Sequence, residues 1–316
     1  MSQQEQESSI TRNKAEIVAN YIKELRDIQA DHKYEKYKDI LFIFQSHNKG
    51  HLIKKIITPF TSLGAANIIL YADACCDETL SEAKELLPGS NHFIISSNNT
   101  FEIKNYRLAC KIGTSLRCKY AVLLQDDDYY IQPDEWLRQS LDKFDNDKNL
   151  SIIGLNAARL IHSLPGNLKA IFPQKKIIRQ PWANYLDASF QQHADRVMSH
   201  VYVGFVNRAP QVIKIEDAIN YGYFPEELEP WGIDDEFMCL KAWSVGKKVL
   251  YMPLKFDTVV RNYGIGGMRA YTGKLDKSNF RQHLERNGKW VFKQFENEIH
   301  DGTLAKKINT ANRILR

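Results

Sequence analysis

Three consecutive carboxylates, Asp126, Asp127 and Asp128, follow the apolar run Ala121–Leu124 after a single residue, Gln125. At the end of a buried strand such groups repel one another, and a divalent cation removes that cost. Carboxylate oxygens suit hard ions such as Mg2+ or Mn2+. A solvated acidic turn is the plainer reading of the same residues. A second acidic group, Asp234-Asp235-Glu236, follows Trp231-Gly232 where a helix is expected to begin. The helix dipole favours negative charge there, and Asp234 could simply cap the helix. An aromatic face beside an acid also seats a sugar ring, and one of these carboxylates could act as a general base on a hydroxyl.

The elements that must position these groups can be read from the apolar pattern. Ile40–Phe44, Asn67–Tyr71 and Ala121–Leu124 are short apolar runs bounded by polar or small residues. Between them, Ile53–Leu63, Glu78–Leu86 and Phe101–Cys118 read as helices. Strands alternating with helices predict βαβ units and a mainly parallel sheet. Ligands of such sheets bind beyond the carboxyl ends of the strands. That rule selects Gln45-Ser46-His47-Asn48, Ala72 to Asp77, and Gln125 to Asp128.

The second half is less regular. Phe190–Asn207 reads as a helix running into a strand, Ile213–Tyr221 as a short helix, Asp234–Val245 as a helix followed by the strand Lys248–Met252, and Arg281–Glu298 as a last helix. Pro165–Pro181 and the glycine-bearing Arg261–Gly273 read as loops. Ahead of the first strand, Lys14–Ile28 has helical spacing.

Composition bounds the function. The chain has 316 residues, with Lys+Arg 43 against Asp+Glu 38 and a net charge of +5, too small an excess to argue for nucleic-acid binding. Five cysteines without CxxC spacing predict reduced thiols, a cytoplasmic setting and no zinc site built from them. The polar start Met1–Ser9 predicts no secretory leader, and Ile40–Phe44 is far short of the ~20 residues a membrane span needs. The basic residues Lys306, Lys307, Arg313 and Arg316 could touch an anionic membrane surface peripherally, or end a solvated helix.

Four blocks together resemble family 2-like, GT-A-fold glycosyltransferases. Asp39 to Asn48 is similar to their first strand and turn. Ala72-Asp73-Ala74-Cys75-Cys76-Asp77-Glu78-Thr79 resembles the second-strand signature Asp-Asp-Gly-Ser-x-Asp-x-Thr, with Ala72 in place of the first acid. Tyr120 to Asp128 resembles the block ending in the metal-binding Asp-x-Asp, and Trp231 to Glu236 the Trp-Gly-Gly-Glu-Asp-Asp element of galactosyltransferase-type enzymes. The blocks stand in family order over residues 39 to about 270.

The resemblance implies a GT-A-type, Rossmann-like α/β fold with a mixed, mainly parallel sheet flanked by helices. It implies a domain over 39–300, with a nucleotide-sugar half (39–130) and an acceptor half (131–300), between an N-terminal helical extension (1–38) and a basic tail (301–316). Gln45, Ser46, His47, Asp73, Arg107, Asp127 and Trp231 would face the donor, a UDP-sugar. Asp126 and Asp128 would hold Mn2+ or Mg2+. Asp235, with Asp234 as the alternate, would be the base for a glycan or other hydroxyl acceptor in an inverting displacement, within polysaccharide or glycan synthesis. A family His is missing near Val259–Tyr263. Its place falls to Asn262 or Asp257, to the acids and diphosphate alone, or partly to the charge of Arg261. Tyr129, Tyr130, Tyr263 and Tyr271 are candidates for sugar contact. The rival readings are a nucleotidyltransferase of similar fold and a non-catalytic carbohydrate-binding protein.

Overall fold

The computed structural model describes residues 36–98, 100–126, 129–130, 132–155, 159–161, 183–185, 200–207, 210–254, 259–260 and 277–315. Strand β1 (Lys36–Ser46) carries the run Ile40–Phe44, buried throughout. Residues 36–38, expected in the extension, therefore belong to the sheet. The expected helix Lys14–Ile28 lies outside the described residues. Then follow α1 (Gly50–Leu63), β2 (Ala65–Asp73), α2 (Thr79–Leu86), β3 (His92–Ser97), α3 (Phe101–Ser115) and β4 (Tyr120–Gln125). The second half adds β5 (Tyr129–Tyr130), α4 (Pro133–Asn146), β6 (Leu150–Gly154), β7 (Arg159–Ile161), β8 (Ala183–Tyr185), β9 (Val201–Tyr202), β10 (Gln211–Lys214) and α5 (Ile215–Asn220). It ends with α6 (Asp234–Ser244), β11 (Lys248–Tyr251), β12 (Val259–Val260), α7 (Lys277–His300) and α8 (Thr303–Leu315).

The main sheet has eight strands in the order β3-β2-β1-β4-β10-β6-β11-β9. β3, β2, β1 and β4 run parallel, as do β6 and β11, while β10 and β9 pair antiparallel with their neighbours. The expected α/β class with a mixed, mainly parallel sheet is thus present. Its central strands are continuous apolar runs because helices cover both faces. On one face Phe42 and Phe44 each lie 5.2 Å from the ring of Phe60 in α1. Tyr130 joins that cluster 5.9 Å from Phe60 and is fully buried, so this candidate for sugar contact belongs to the core. On the other face α3 lies close against the sheet. A methyl group on Gly113 would stand 2.7 Å from Ile215 and 3.0 Å from Leu41, so glycine permits the approach.

Two expectations change. The helix expected over Ile213–Tyr221 begins as strand β10, and only Ile215–Asn220 is helical. Val212 and Ile213 are buried between β4 and β6, where their backbone completes both ladders, and that pairing outweighs the helical spacing. Because β10 lies between β4 and β6, one continuous sheet joins the expected donor and acceptor halves. The basic tail is helix α8, with Leu304, Ala305, Ile308 and Ala311 buried. Its Asn312 accepts from Tyr202 N–H and donates to Tyr202 carbonyl, both at 2.8 Å, which covers the edge of β9. Among the described residues no helix is long and apolar enough to cross a membrane.

Candidate functional site

The carboxyl ends of β1, β2, β3 and β4 lie side by side. Those of β1, β2 and β4 lead into the three turns expected from the sequence, and β3 adds a fourth, before Phe101, that the sequence pattern did not select. Gln45 pairs with Tyr71 on β2 and with Gln125 on β4, which fixes the levels of the three strand ends. Asn48, Ala74 and Phe101 adopt left-handed backbone in three of these turns, with φ of 53°, 49° and 59°. Non-glycine residues hold such conformations only where the surroundings over-determine them, and they gather at functional sites.

His47 ties the turns together. Its Nδ1 lies 2.6 Å from the carbonyl of Asp73, so that nitrogen carries the proton and donates. Nε2 is then an acceptor, 3.3 Å from the Asn48 side-chain amide. The His47 backbone N–H donates to Asp126 Oδ2 at 2.9 Å. Asp126 is buried at the end of β4. Asp128, its expected partner on the metal, and Asp127, expected to face the donor, lie outside the described residues. Asp126 is a hard anionic donor at the strand ends, and this fits a divalent cation.

Asp73 is also buried, and both of its oxygens are engaged. Oδ1 accepts from Ser97 Oγ and Thr100 N–H, each at 2.7 Å, and Oδ2 accepts from Phe101 N–H at 2.8 Å. The carboxylate therefore fixes the start of α3, where the helix leaves amide donors open. Oδ2 keeps a second lone pair for a ligand. From the same helix, Asn105 donates to Gln45 Oε1 at 3.1 Å and accepts from Thr100 Oγ1 at 2.9 Å. Ser46 is buried, and its hydroxyl has no hydrogen-bond partner among the described residues. Asp77 accepts from Gly50 N–H at 2.9 Å and from Thr79 N–H at 3.1 Å, joining the starts of α1 and α2. Burial would raise the pKa of Asp77, but these bonds and the Thr79 hydroxyl hold it below the ordinary carboxylate value.

The second acidic group sits at the start of α6. Gly232 and Ile233 both have positive φ, 89° and 66°, and this reversal delivers Asp234 and Asp235 into the first helical turn. Asp234 is 1 % exposed, whereas Asp235 remains partly accessible. Trp231 is 5 % exposed, and its ring packs 4.5 Å from that of His283 in α7. Arg107, expected near phosphates, forms ion pairs with Glu226 and Glu229 and donates through Nε to the Phe224 carbonyl at 3.1 Å. It thus ties α3 to the segment that leads into Trp231.

Neither family models nor curated protein sequences match the chain. Among solved structures, one of GalNAc-T7 with UDP, GalNAc and Mn2+ is similar, at 14% identity and a TM-score of 0.49. That match covers 84% of this chain and 58% of the other.

The structure brings Gln45, Ser46, His47, Asp73 and Asp126 together at the carboxyl end of the sheet, and places Arg107, Trp231, Asp234 and Asp235 in a second group. Strands β5 and β12 pair Val260 with Tyr129, which sets the segment lacking the family His beside the residues that follow the acidic triplet. Asp257, Arg261, Asn262, Tyr263, Tyr271 and the loop Pro165–Pro181 lie outside the described residues. Among those described, no group of three or more His, Cys, Asp or Glu could hold a metal. Sequence reasoning missed Thr100, Asn105, His283 and Asn287. The available signal was a polar residue on an apolar helical stripe, as Asn287 is between Leu284 and Val291.

Proposed function

We propose that this chain is a nucleotide-sugar-dependent glycosyltransferase of GT-A type, with a UDP-sugar as donor and a hydroxyl group as acceptor. The observation that carries the reading is the link through His47, which binds the Asp73 turn through its ring and Asp126 through its backbone. Two elements of the family-like pattern, far apart in sequence, are thereby hydrogen-bonded into one site. Gln45, Ser46, His47 and Asp73 would bind the nucleoside and orient it across the strand ends. Asp126 would hold Mn2+ or Mg2+, and Asp128 joins it by the sequence pattern. When bound, such an ion stabilises the charge that develops on a leaving diphosphate.

Of the two acids that begin α6, Asp235 is the more accessible: it is partly exposed although its Oδ1 is buried, whereas Asp234 is 1 % exposed. In this reading Asp235 takes the acceptor proton, and the sugar is transferred in a single displacement with inversion. Asp234 is the first residue of the helix and is buried, while Ile233, not Asp234, holds the cap position. Trp231 lies against His283 and shapes the turn.

Nucleotidyl transfer fits less well. That chemistry needs a basic, glycine-rich loop after the first strand to hold a triphosphate. Here Lys49, the lysine of that turn, is 5 % exposed. A carbohydrate-binding protein would show no turnover. The test is hydrolysis of a panel of UDP-sugars, with water as acceptor, in the presence of Mn2+ or of chelator. Release of UDP that depends on Mn2+ supports the reading. Absence of turnover with every donor, under conditions where each is soluble and saturating, opposes it.

A further inference from the structure

The turn that delivers Asp235 is held from a helix that begins more than forty residues later in the chain. Asn287 of α7 is fully buried (0 % exposed), and its side-chain nitrogen faces three backbone carbonyls. These are Leu228 at 2.9 Å, Gly232 at 3.0 Å and Trp231 at 3.1 Å. One amide thus gathers oxygens from both sides of Glu229-Pro230. One turn earlier on the same helix face, His283 Nε2 lies 2.7 Å from the Trp231 carbonyl, and its ring packs on Trp231. Arg286 orients Asn287 by donating to its Oδ1 at 2.9 Å, and donates through the same nitrogen to the Glu229 carbonyl, also at 2.9 Å. A primary amide is suited to this place because it is all donor on one end and carries no charge that would have to be neutralised in the interior.

We infer that Asn287 is a positioning residue, setting the Trp231–Ile233 turn and through it the place of Asp235 relative to the strand-end site. The inference rests on the reading of Asp235 as the base. Ile233 is left-handed although it is β-branched, so the turn is not the backbone's own preferred conformation. A network that fixes its carbonyls is what such a turn requires. Arg107 braces the same segment from α3, through Glu226, Glu229 and the Phe224 carbonyl. The turn is therefore held between the helix that begins at the Asp73 carboxylate and α7.

The test compares Asn287→Ala, Asn287→Asp and Asn287→Ser with the parent chain. Asn287→Asp keeps the volume but sets oxygen against three carbonyl oxygens. Asn287→Ser keeps one donor, and it supplies the reading should the other variants fail to fold. The expected result is a fall in kcat for UDP-sugar hydrolysis of about 10–100-fold. Asn287→Asp should be affected most and Asn287→Ser least, with the Kd for UDP and Mn2+ within about twofold of the parent. The emission contributed by Trp231, taken as the difference from a Trp231→Phe partner protein, should shift to longer wavelength in each variant. Unchanged Trp231 emission would overturn the inference. So would a kcat that falls only in proportion to the folded fraction measured by circular dichroism. Asp235→Asn is run alongside: if it keeps full turnover, the base assignment has failed, while the emission shift still reports on the hold of Asn287 over the turn.

Discussion

The backbone N–H of His47 donates to the carboxylate of Asp126 across 2.9 Å, joining the end of β1 to the end of β4. The two residues stand 79 positions apart in the chain, so the bond is made only when the parallel sheet is in register. It uses a main-chain donor, which among substitutions at residue 47 only proline removes. His47→Ala should therefore leave Asp126 in place while releasing the Asp73 carbonyl.

Asp73 should matter first for stability. Asp73→Ala strands the Ser97 hydroxyl and the Thr100 and Phe101 amides, each an engaged donor in the folded chain. Loss of about 2–4 kcal/mol is expected in urea unfolding, since a stranded buried donor costs ~1–3 kcal/mol. In the folded fraction, affinity for UDP should fall about 10–100-fold if Asp73 also reads the nucleoside. An unchanged Kd would leave it a framework residue alone.

Asp235→Asn keeps shape and hydrogen bonding but removes basicity. Turnover should drop by ~10²–10⁴-fold with UDP binding nearly intact. Asp234→Asn should do less. Were the order reversed in steady-state kinetics, the two acids would exchange roles.

His283 gives the turn a pH dependence. Burial holds its pKa below the ordinary value, the bond to the Trp231 carbonyl pulls the other way, and the charge of Arg286 adds to the lowering. Below about pH 6.5 the unfolded chain binds a proton that the native chain does not, so stability falls as the pH drops through that value. The loss ends once the pH passes the lower native pKa. His283→Phe, which retains a ring against Trp231, should lose less in melting temperature between pH 7.5 and 5.5. His200, likewise held low by burial, is common to both proteins and cancels in the difference.

Much of the first half was legible in the sequence, because Ile40–Phe44, Asn67–Tyr71 and Ala121–Leu124 are strands buried on both faces. Such strands are written as uninterrupted apolar runs. The positions of the turns after them were legible for the same reason, because each begins where a strand ends. β10 was not, because four residues, Gln211–Lys214, merge without a break into the helix that follows. The placement of Arg107 was also hidden. Its partners Glu226 and Glu229 lie 119 and 122 residues away, and nothing in local spacing distinguishes an arginine bound for phosphate from one bound for carboxylate. Asn287 shows the same limit: a polar residue on an apolar stripe signals a buried partner but does not say which.

The most direct test of the central claim is calorimetry of UDP binding to the parent chain, with Mn2+ and with chelator. If the strand-end turns form a nucleotide site completed by an ion at Asp126, Mn2+ should tighten UDP binding by at least about tenfold, worth about 1.4 kcal/mol. Asp126→Ala should remove that gain. Equal UDP affinity in Mn2+ and in chelator, or no UDP binding in either, would contradict the account.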